Sequence, residues 1–365
     1  MGMTTRERFI NTLTGQEVDR IPFMKIFGGT AAHLGTWKTE NPNINSYIDE
    51  LLRFDGPYRG WDIAPVNFLL SGVPNTTEVL SDDESRTVIK YGDGTVRAHL
   101  KSQNFNTHIL EYPVKNRNDW DRIKSLYMNP NDPSRYPVDW ERYAEMYSNR
   151  DYPLQLTYGG VFGFARNMMG DENLFYAIYD DPEFVHDILN TYLNMCLVIW
   201  EKLCKDVQFD LIESWEDMAY KQGSLVSPPM FNEFLAPVFK KIRTFADAYN
   251  IPILLVDSDG YIDDLAADMY NAGVNAMYPF EVQSGCDVIK VLDKFPRMGA
   301  IGCLNKEVMA YGKAAIDKEL EKCRQYLSHG RIIPGPDHFV LSNVTFDNYK
   351  YFMNRLREII LSFKY

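Results

Sequence analysis

Cysteine is scarce in this chain of 365 residues and nowhere paired in pattern: Cys196, Cys204, Cys286, Cys303 and Cys323 form an odd set with no Cys-x-x-Cys spacing. That excludes a disulfide framework as the organising device and fits a reducing compartment; Cys196 and Cys204 read as core filler on one helix. Positive charge is short as well. The 38 Lys and Arg face 50 Asp and Glu, a net charge of −12, which works against the counterion release behind nucleic-acid binding and against adsorption to anionic membranes. No stretch approaches the roughly 20 apolar residues that span a bilayer, and residues 195–200 meet charge almost at once. The start of the chain turns polar at Arg6-Glu7-Arg8, without the apolar segment of a signal peptide. These absences predict a cytoplasmic protein acting on a small molecule, with no nucleic acid and no membrane among its partners. Phosphate loops are missing too: no Gly-x-Gly-x-x-Gly follows a strand, and Gly159-Gly160-Val161-Phe162-Gly163 lacks a Lys-Ser ending.

What the chain has is apolar surface in ordered alternation. Apolar residues make up 45%, including 21 Phe and 23 Tyr, enough for one large core. Thr5-Arg6-Glu7-Arg8 opens a helix with Phe9, Ile10 and Leu13 at helical spacing. Strands are predicted at 20–27, 62–66, 154–158, 209–213, 251–256, 274–280, 298–301 and 331–333, with helices such as 182–206 and 262–271 between them. Eight strands alternating with helices imply parallel pairing through right-handed crossovers. The predicted fold is therefore an α/β (β/α)₈ TIM barrel in a single domain over residues 1–365. Residues 78–112 interrupt the rhythm: 86–101 alternate about the turn Tyr91-Gly92-Asp93-Gly94-Thr95, the pattern of an inserted antiparallel β-hairpin.

In such a barrel the chemistry sits just beyond the carboxyl ends of the strands. There the sequence places Glu213-Ser214-Trp215-Glu216-Asp217, Asp257-Ser258-Asp259-Gly260, Glu281, Asn305-Lys306 and Asp337-His338. Carboxylates gathered in a partly dry mouth repel unless a cation or shared protons neutralise them. Asp257 or Asp259, with Glu281 and His338, would supply three ligands to a divalent metal and leave one position open. Glu216 reads as a substrate-orienting carboxylate and Lys306 as a charge partner. The plainer alternative has Asp259 capping the next helix, Glu281 paired with a lysine and His338 a satisfied polar residue. His33, in the loop after the first strand, is a further candidate to line the pocket, whereas Phe231, Phe234 and Phe239 read as helix packing.

Several of these segments carry a resemblance over nearly the whole chain. Thr5-Arg6-Glu7-Arg8-Phe9 with Val18-Asp19-Arg20-Ile21-Pro22, Glu213 to Asp217 with Leu225-Val226-Ser227-Pro228, Asp257-Ser258-Asp259-Gly260, and Gly302-Cys303-Leu304-Asn305-Lys306 resemble the uroporphyrinogen decarboxylase superfamily. The resemblance implies one of two branches, porphyrin-pathway decarboxylases or cobamide-dependent methyltransferases. Decarboxylases share an Arg-Gln-Ala-Gly-Arg segment whose guanidiniums clasp substrate carboxylates. Here that region runs from Met24 to His33, and no arginine occurs between Arg20 and Arg53. Pro65-Val66-Asn67-Phe68 lacks the decarboxylase Asp, and the pocket tyrosine gives way near Arg166-Asn167, although Ser214 and His338 match decarboxylase positions.

The methyltransferases that serve coenzyme M hold zinc with His-x-Cys after the fifth strand and a distant Cys; here Asp257-x-Asp259 and Asp337-His338 stand instead. Oxygen and nitrogen ligands make a harder Lewis acid, suited to polarising an ether or similar heteroatom while a cobalt(I) corrinoid attacks its methyl group. By this resemblance the chain is expected to be a methyltransferase of anaerobic metabolism that uses zinc or another divalent metal. It would move a methyl group from a small methylated substrate to a corrinoid carried on a partner protein. The competing expectations are a carboxy-lyase acting through Ser214 and His338 on a tetrapyrrole or smaller acid, and a binding homologue without catalysis. A homodimer is a further expectation.

Overall fold

The computed structural model describes residues 2–27, 36–57, 59–101, 107–157 and 159–364; His33 lies outside the described residues. Two compact units make up the chain. Met1–Ala64, Glu141–Thr157 and Cys204–Tyr365 form the first, and Pro65–Trp140 with Tyr158–Leu203 the second. In chain order the strands are β1 (Asp62–Ile63), β2 (Thr77–Asp82), β3 (Arg86–Tyr91), β4 (Val96–Leu100), β5 (Thr107–Glu111), β6 (Leu154–Thr157), β7 (Leu211–Trp215), β8 (Ala219–Tyr220), β9 (Gly223–Ser224), β10 (Ile253–Asp257), β11 (Ala276–Tyr278), β12 (Gly299–Leu304) and β13 (Ile332–Pro336).

The first unit is built on a seven-stranded parallel sheet of order β1-β6-β7-β10-β11-β12-β13. Every residue of β10, β12 and β13 is buried, the mark of a parallel sheet covered on both faces. Helices Ala236–Ala248, Ala266–Asn271, Val288–Lys294 and Lys313–Leu320 alternate with these strands, and Phe346–Ser362 follows the last. The amino-terminal helix, Thr5–Thr14, begins at a capping box in which Thr4 and Glu7 satisfy each other's backbone N–H, and buries Phe9 and Leu13. It is tied to the sheet by Asp210, which is fully buried. The Asp210 carboxylate takes Arg6 Nε at 2.8 Å, an Arg150 terminal nitrogen at 2.8 Å and the Leu154 N–H at 2.9 Å.

Seven strands enter the ladder among the described residues where eight are predicted. The missing one is 20–27. Pro22 has no N–H to give, and Ile26 sits at φ +41°, outside the extended region, so the segment cannot run a regular ladder. Its side chains are nonetheless core: Ile21, Met24 and Ile26 are completely buried. Met24 packs on Gly60 just before β1, where a Cβ would meet its sulfur at 2.6 Å, while Ile26 fills the space beside Gly335 in β13. The predicted strand 62–66 is also shortened, to Asp62–Ile63, ahead of Pro65.

The second unit carries a four-stranded antiparallel sheet, β2-β3-β4-β5. The predicted hairpin is its centre, with Lys90 opposite Val96 and Arg86 opposite Leu100, and one further strand lies on each side. Helices Arg117–Tyr127, Val161–Met169 and Asp171–Asp180 belong to the same unit, as does Pro182–Cys204 up to Leu203. Phe164 stacks on Tyr192 with ring centroids 3.9 Å apart. Arg135, 1% exposed, donates to the carbonyls of Asn67, Leu69, Tyr127 and Asn129, so a buried cation serves as a donor hub for irregular backbone. Among the described residues no helix is long and apolar enough to cross a membrane.

Candidate metal centre at the strand ends

β10 runs Ile253-Leu254-Leu255-Val256 through the core and delivers Asp257 at its last position, in register with Trp215 of β7 and Tyr278 of β11. Just beyond, one carboxylate oxygen each of Asp259 and Glu281 and a ring nitrogen of His338 all lie within 4.8 Å of one another. His338 Nε2 is 3.1 Å from Asp259 Oδ1. The Glu281 carboxylate accepts from Lys306 Nζ at 3.0 Å through Oε1 and from the Gly260 N–H at 2.9 Å through Oε2. Asp217, Asp257 and Asp259 form a second such group that shares Asp259.

Three of the four expected ligands thus come together, and Asp257 stands one group away. Part of the plainer alternative is present at the same time, since Glu281 does pair with a lysine. Asp259 does not cap the following helix, which begins only at Ala266 behind Leu265. Strand alternation turns Ser214 to the face opposite Glu213; Ser214 and Glu216 are fully buried, and the hydroxyl donates to the Glu216 carboxylate at 2.5 Å.

Glu213 and Asp337, named in the sequence only as strand-end acids, take specific parts here, and Tyr278 and Arg59 join them. Glu213, inside β7, accepts the phenolic hydrogen of fully buried Tyr278, and Arg59 donates to the same phenol oxygen at 3.1 Å. Asp337, fully buried beside His338, accepts from the Val282 N–H at 2.8 Å and the Lys306 N–H at 3.0 Å. Place at a strand end was the available sign for Glu213 and Asp337. Tyr278 and Arg59 have none, because only pairing across the sheet brings them to Glu213. Aromatic rings wall the site: Phe27 stacks on His338 at 5.1 Å, and Phe339 meets Phe27 edge-on at 5.4 Å.

Electrostatics follow from this crowding. Burial pushes the Asp257 carboxyl well above the usual carboxylate range, and the charges of Glu213, Asp259 and Asp217 add to the effect against a hydrogen bond from Tyr278. Asp337 is raised by burial, with Lys306 opposing. Cys286 donates its S–H to the Gly260 carbonyl at 3.3 Å, and burial lifts its thiol to about 12. It is therefore a thiol, not a ready thiolate ligand.

The donor set fits a divalent cation: two carboxylates and an imidazole converge where neighbouring carboxylates leave the site short of positive charge. A separate cleft of about 690 Å³ lies at the amino ends of the strands, lined among others by Arg243, Asn275 and Arg297, and holds no comparable ligand set. Chemistry at the carboxyl ends is the general rule for parallel α/β folds.

Parallel strands with acidic and imidazole side chains gathered at their carboxyl ends define an α/β protein with a carboxylate-rich mouth. The sequence profile described as uroporphyrinogen decarboxylase (URO-D) matches residues 102–359, and the chain belongs to that family. No protein of curated function matches it. Among solved structures it is similar to a methyltransferase from Methanosarcina mazei, at 15% identity and a TM-score of 0.60, covering 98% of this chain and 99% of that one. A B12-independent methionine synthase from a Shewanella species, in complex with selenomethionine, aligns over 63% of this chain and 70% of that one, at 10% identity and a TM-score of 0.39.

Proposed function

We propose that this protein is a methyltransferase that uses a divalent metal, zinc in the first instance, to demethylate a small methylated compound and pass the methyl group to a corrinoid on a partner protein. One observation carries the reading: Asp259, Glu281 and His338 present ligand atoms within 4.8 Å of one another at the carboxyl ends of the sheet. The similarity of fold to a methyltransferase over almost the full length of both chains supports it. We also take the buried segment 20–27, lodged beside Gly60 and Gly335, as the eighth stave of a closed (β/α)₈ barrel.

A cation held by Asp259, Glu281 and His338 would act as a Lewis acid on the heteroatom that carries the methyl group. The protein's own groups prepare that chemistry. Lys306 and the Gly260 N–H hold both oxygens of Glu281 and so fix its orientation. Phe27 and Phe339 shield His338 and exclude water from one side. Asp257 stands buried at the end of β10, beside Asp259 and Asp217. The same charge pattern disfavours a polyanionic carboxy-lyase substrate, because Asp217, Asp259 and Glu281 would repel it.

Two measurements test the proposal. Elemental analysis of protein purified without added metal should find about one divalent ion per chain. Incubation of cob(I)alamin with a panel of methyl ethers, thioethers and amines should yield methylcobalamin with at least one donor, and a chelator should abolish it. Metal-free protein that still methylated the corrinoid would refute the metal's role; carbon dioxide released from uroporphyrinogen would favour the lyase.

A further inference from the structure

Glu281, Lys306 and His338 follow the ends of three strands, β11, β12 and β13, and one buried side chain ties all three. Asp337, 0% exposed, divides its oxygens between two loops: Oδ2 accepts the Val282 N–H at 2.8 Å and Oδ1 the Lys306 N–H at 3.0 Å. Its own N–H donates to the Leu304 carbonyl at 2.7 Å, and the Lys306 ammonium lies 3.7 Å from Oδ1. Val282 directly follows Glu281, and His338 directly follows Asp337. We propose that Asp337 is a positioning residue that fixes Glu281 and His338 relative to each other as metal ligands, an inference that rests on the metal-centre reading above.

The argument is one of acceptor count. A carboxylate offers two strong acceptors, and bonds to an ionised acceptor are roughly twice as strong as neutral ones. An Asn at 337 has one carbonyl oxygen, so it must release one of the two loops or turn its NH₂ against a backbone N–H. Either outcome frees Glu281 or Lys306, which holds Glu281 Oε1 at 3.0 Å. Ligand constellations tolerate only about 0.5 Å of such looseness.

A second variant isolates one bond without touching the charge. Val282 is the first residue of the 3₁₀ turn Val282–Ser284, and Glu281 before it sits at φ −67°, ψ 110°. Proline suits a first helical position, and that conformation suits a residue preceding proline. Val282→Pro therefore removes the single N–H that Asp337 Oδ2 accepts while the turn is kept.

The full-length wild type, Asp337→Asn and Val282→Pro would be stripped of metal and titrated with Zn²⁺ against a chromophoric chelator. Visible absorption of bound Co²⁺ and thermal melting would be recorded for each. We expect both variants to lose affinity by roughly 10- to 100-fold, the usual consequence of losing a contact behind a ligand, with altered Co²⁺ bands and retained cooperative melting. If Asp337→Asn fails to fold, Val282→Pro decides alone. Folded variants that bind Zn²⁺ like the wild type and give its Co²⁺ spectrum overturn the inference by itself. A wild type that binds neither ion overturns the metal centre, and the inference falls with it.

Discussion

Nε2 of His338 lies 3.1 Å from Oδ1 of Asp259, although 78 intervening residues and three further strands separate the two in the chain. The two atoms stand at ion-pair distance. A metal bound between them would take one lone pair from each side chain. His338→Ala, Asp259→Asn and Glu281→Gln should each weaken Zn²⁺ binding by roughly 100-fold or more, beyond the loss seen for contacts behind a ligand. Equal Zn²⁺ affinity in all three by chelator competition would move the site elsewhere.

Asp257 should destabilise the metal-free protein at neutral pH. Its folded-state pKa is raised, by burial first and then by Glu213 and Asp259. For a carboxyl with a raised folded pKa, the stabilising contribution is fully present below the unfolded value near 3.9. It is lost as pH rises through the folded value. Asp257→Asn does not titrate and is close to Asp in size and shape. In chelator at pH 7 it should melt about 2 °C or more above the wild type, and the gap should close as the pH approaches 4. A gap that widened on acidification would contradict the assignment.

Metal should in turn stabilise the fold. At a free Zn²⁺ concentration about 100 times Kd, binding to the native state alone contributes about 2.7 kcal/mol. Urea unfolding with and without a chelator measures this directly; coincident curves at a saturating metal concentration would show that the ion does not bind the native state.

Away from the site, Asp210 gathers Arg6, Arg150 and the Leu154 N–H at the amino ends of β6 and β7. Arg150 and Asp210 are both at least 98% buried as side chains. Removing one partner of a buried pair strands the other charge. Asp210→Ala should therefore cost about 3–5 kcal/mol, visible as a lower urea midpoint without any change in Zn²⁺ affinity. A loss below about 1 kcal/mol would mean that water reaches the arginines.

Strand positions were readable where apolar runs are bounded by polar turns. Ile253–Asp257 matches the expected 251–256 closely, and Gly299–Leu304 overlaps the expected 298–301 and runs three residues further, because a buried parallel strand reads as a continuous apolar run. The predicted hairpin at 86–101 pairs as expected, while its flanking strands β2 and β5 escaped notice because both are fully exposed and carry no apolar alternation. Segment 20–27 looks like a strand in composition, but the φ of Ile26 and the missing N–H of Pro22 are backbone facts that composition does not express.

Local pattern by itself determined the alternation of strands and helices and set acidic residues and one histidine just past strand ends, since each depends on neighbours within a few residues. Which carboxylates meet was decided only by the tertiary structure. Register across the sheet sets Asp257 beside Tyr278 and Glu213, and the loops beyond β10, β11 and β13 bring Asp259, Glu281 and His338 within reach of one another. The physical reason is that a site made of strand ends takes its distances from pairing between strands, and the side chain of Asp337 sets the final positions by binding loops that the chain order keeps apart.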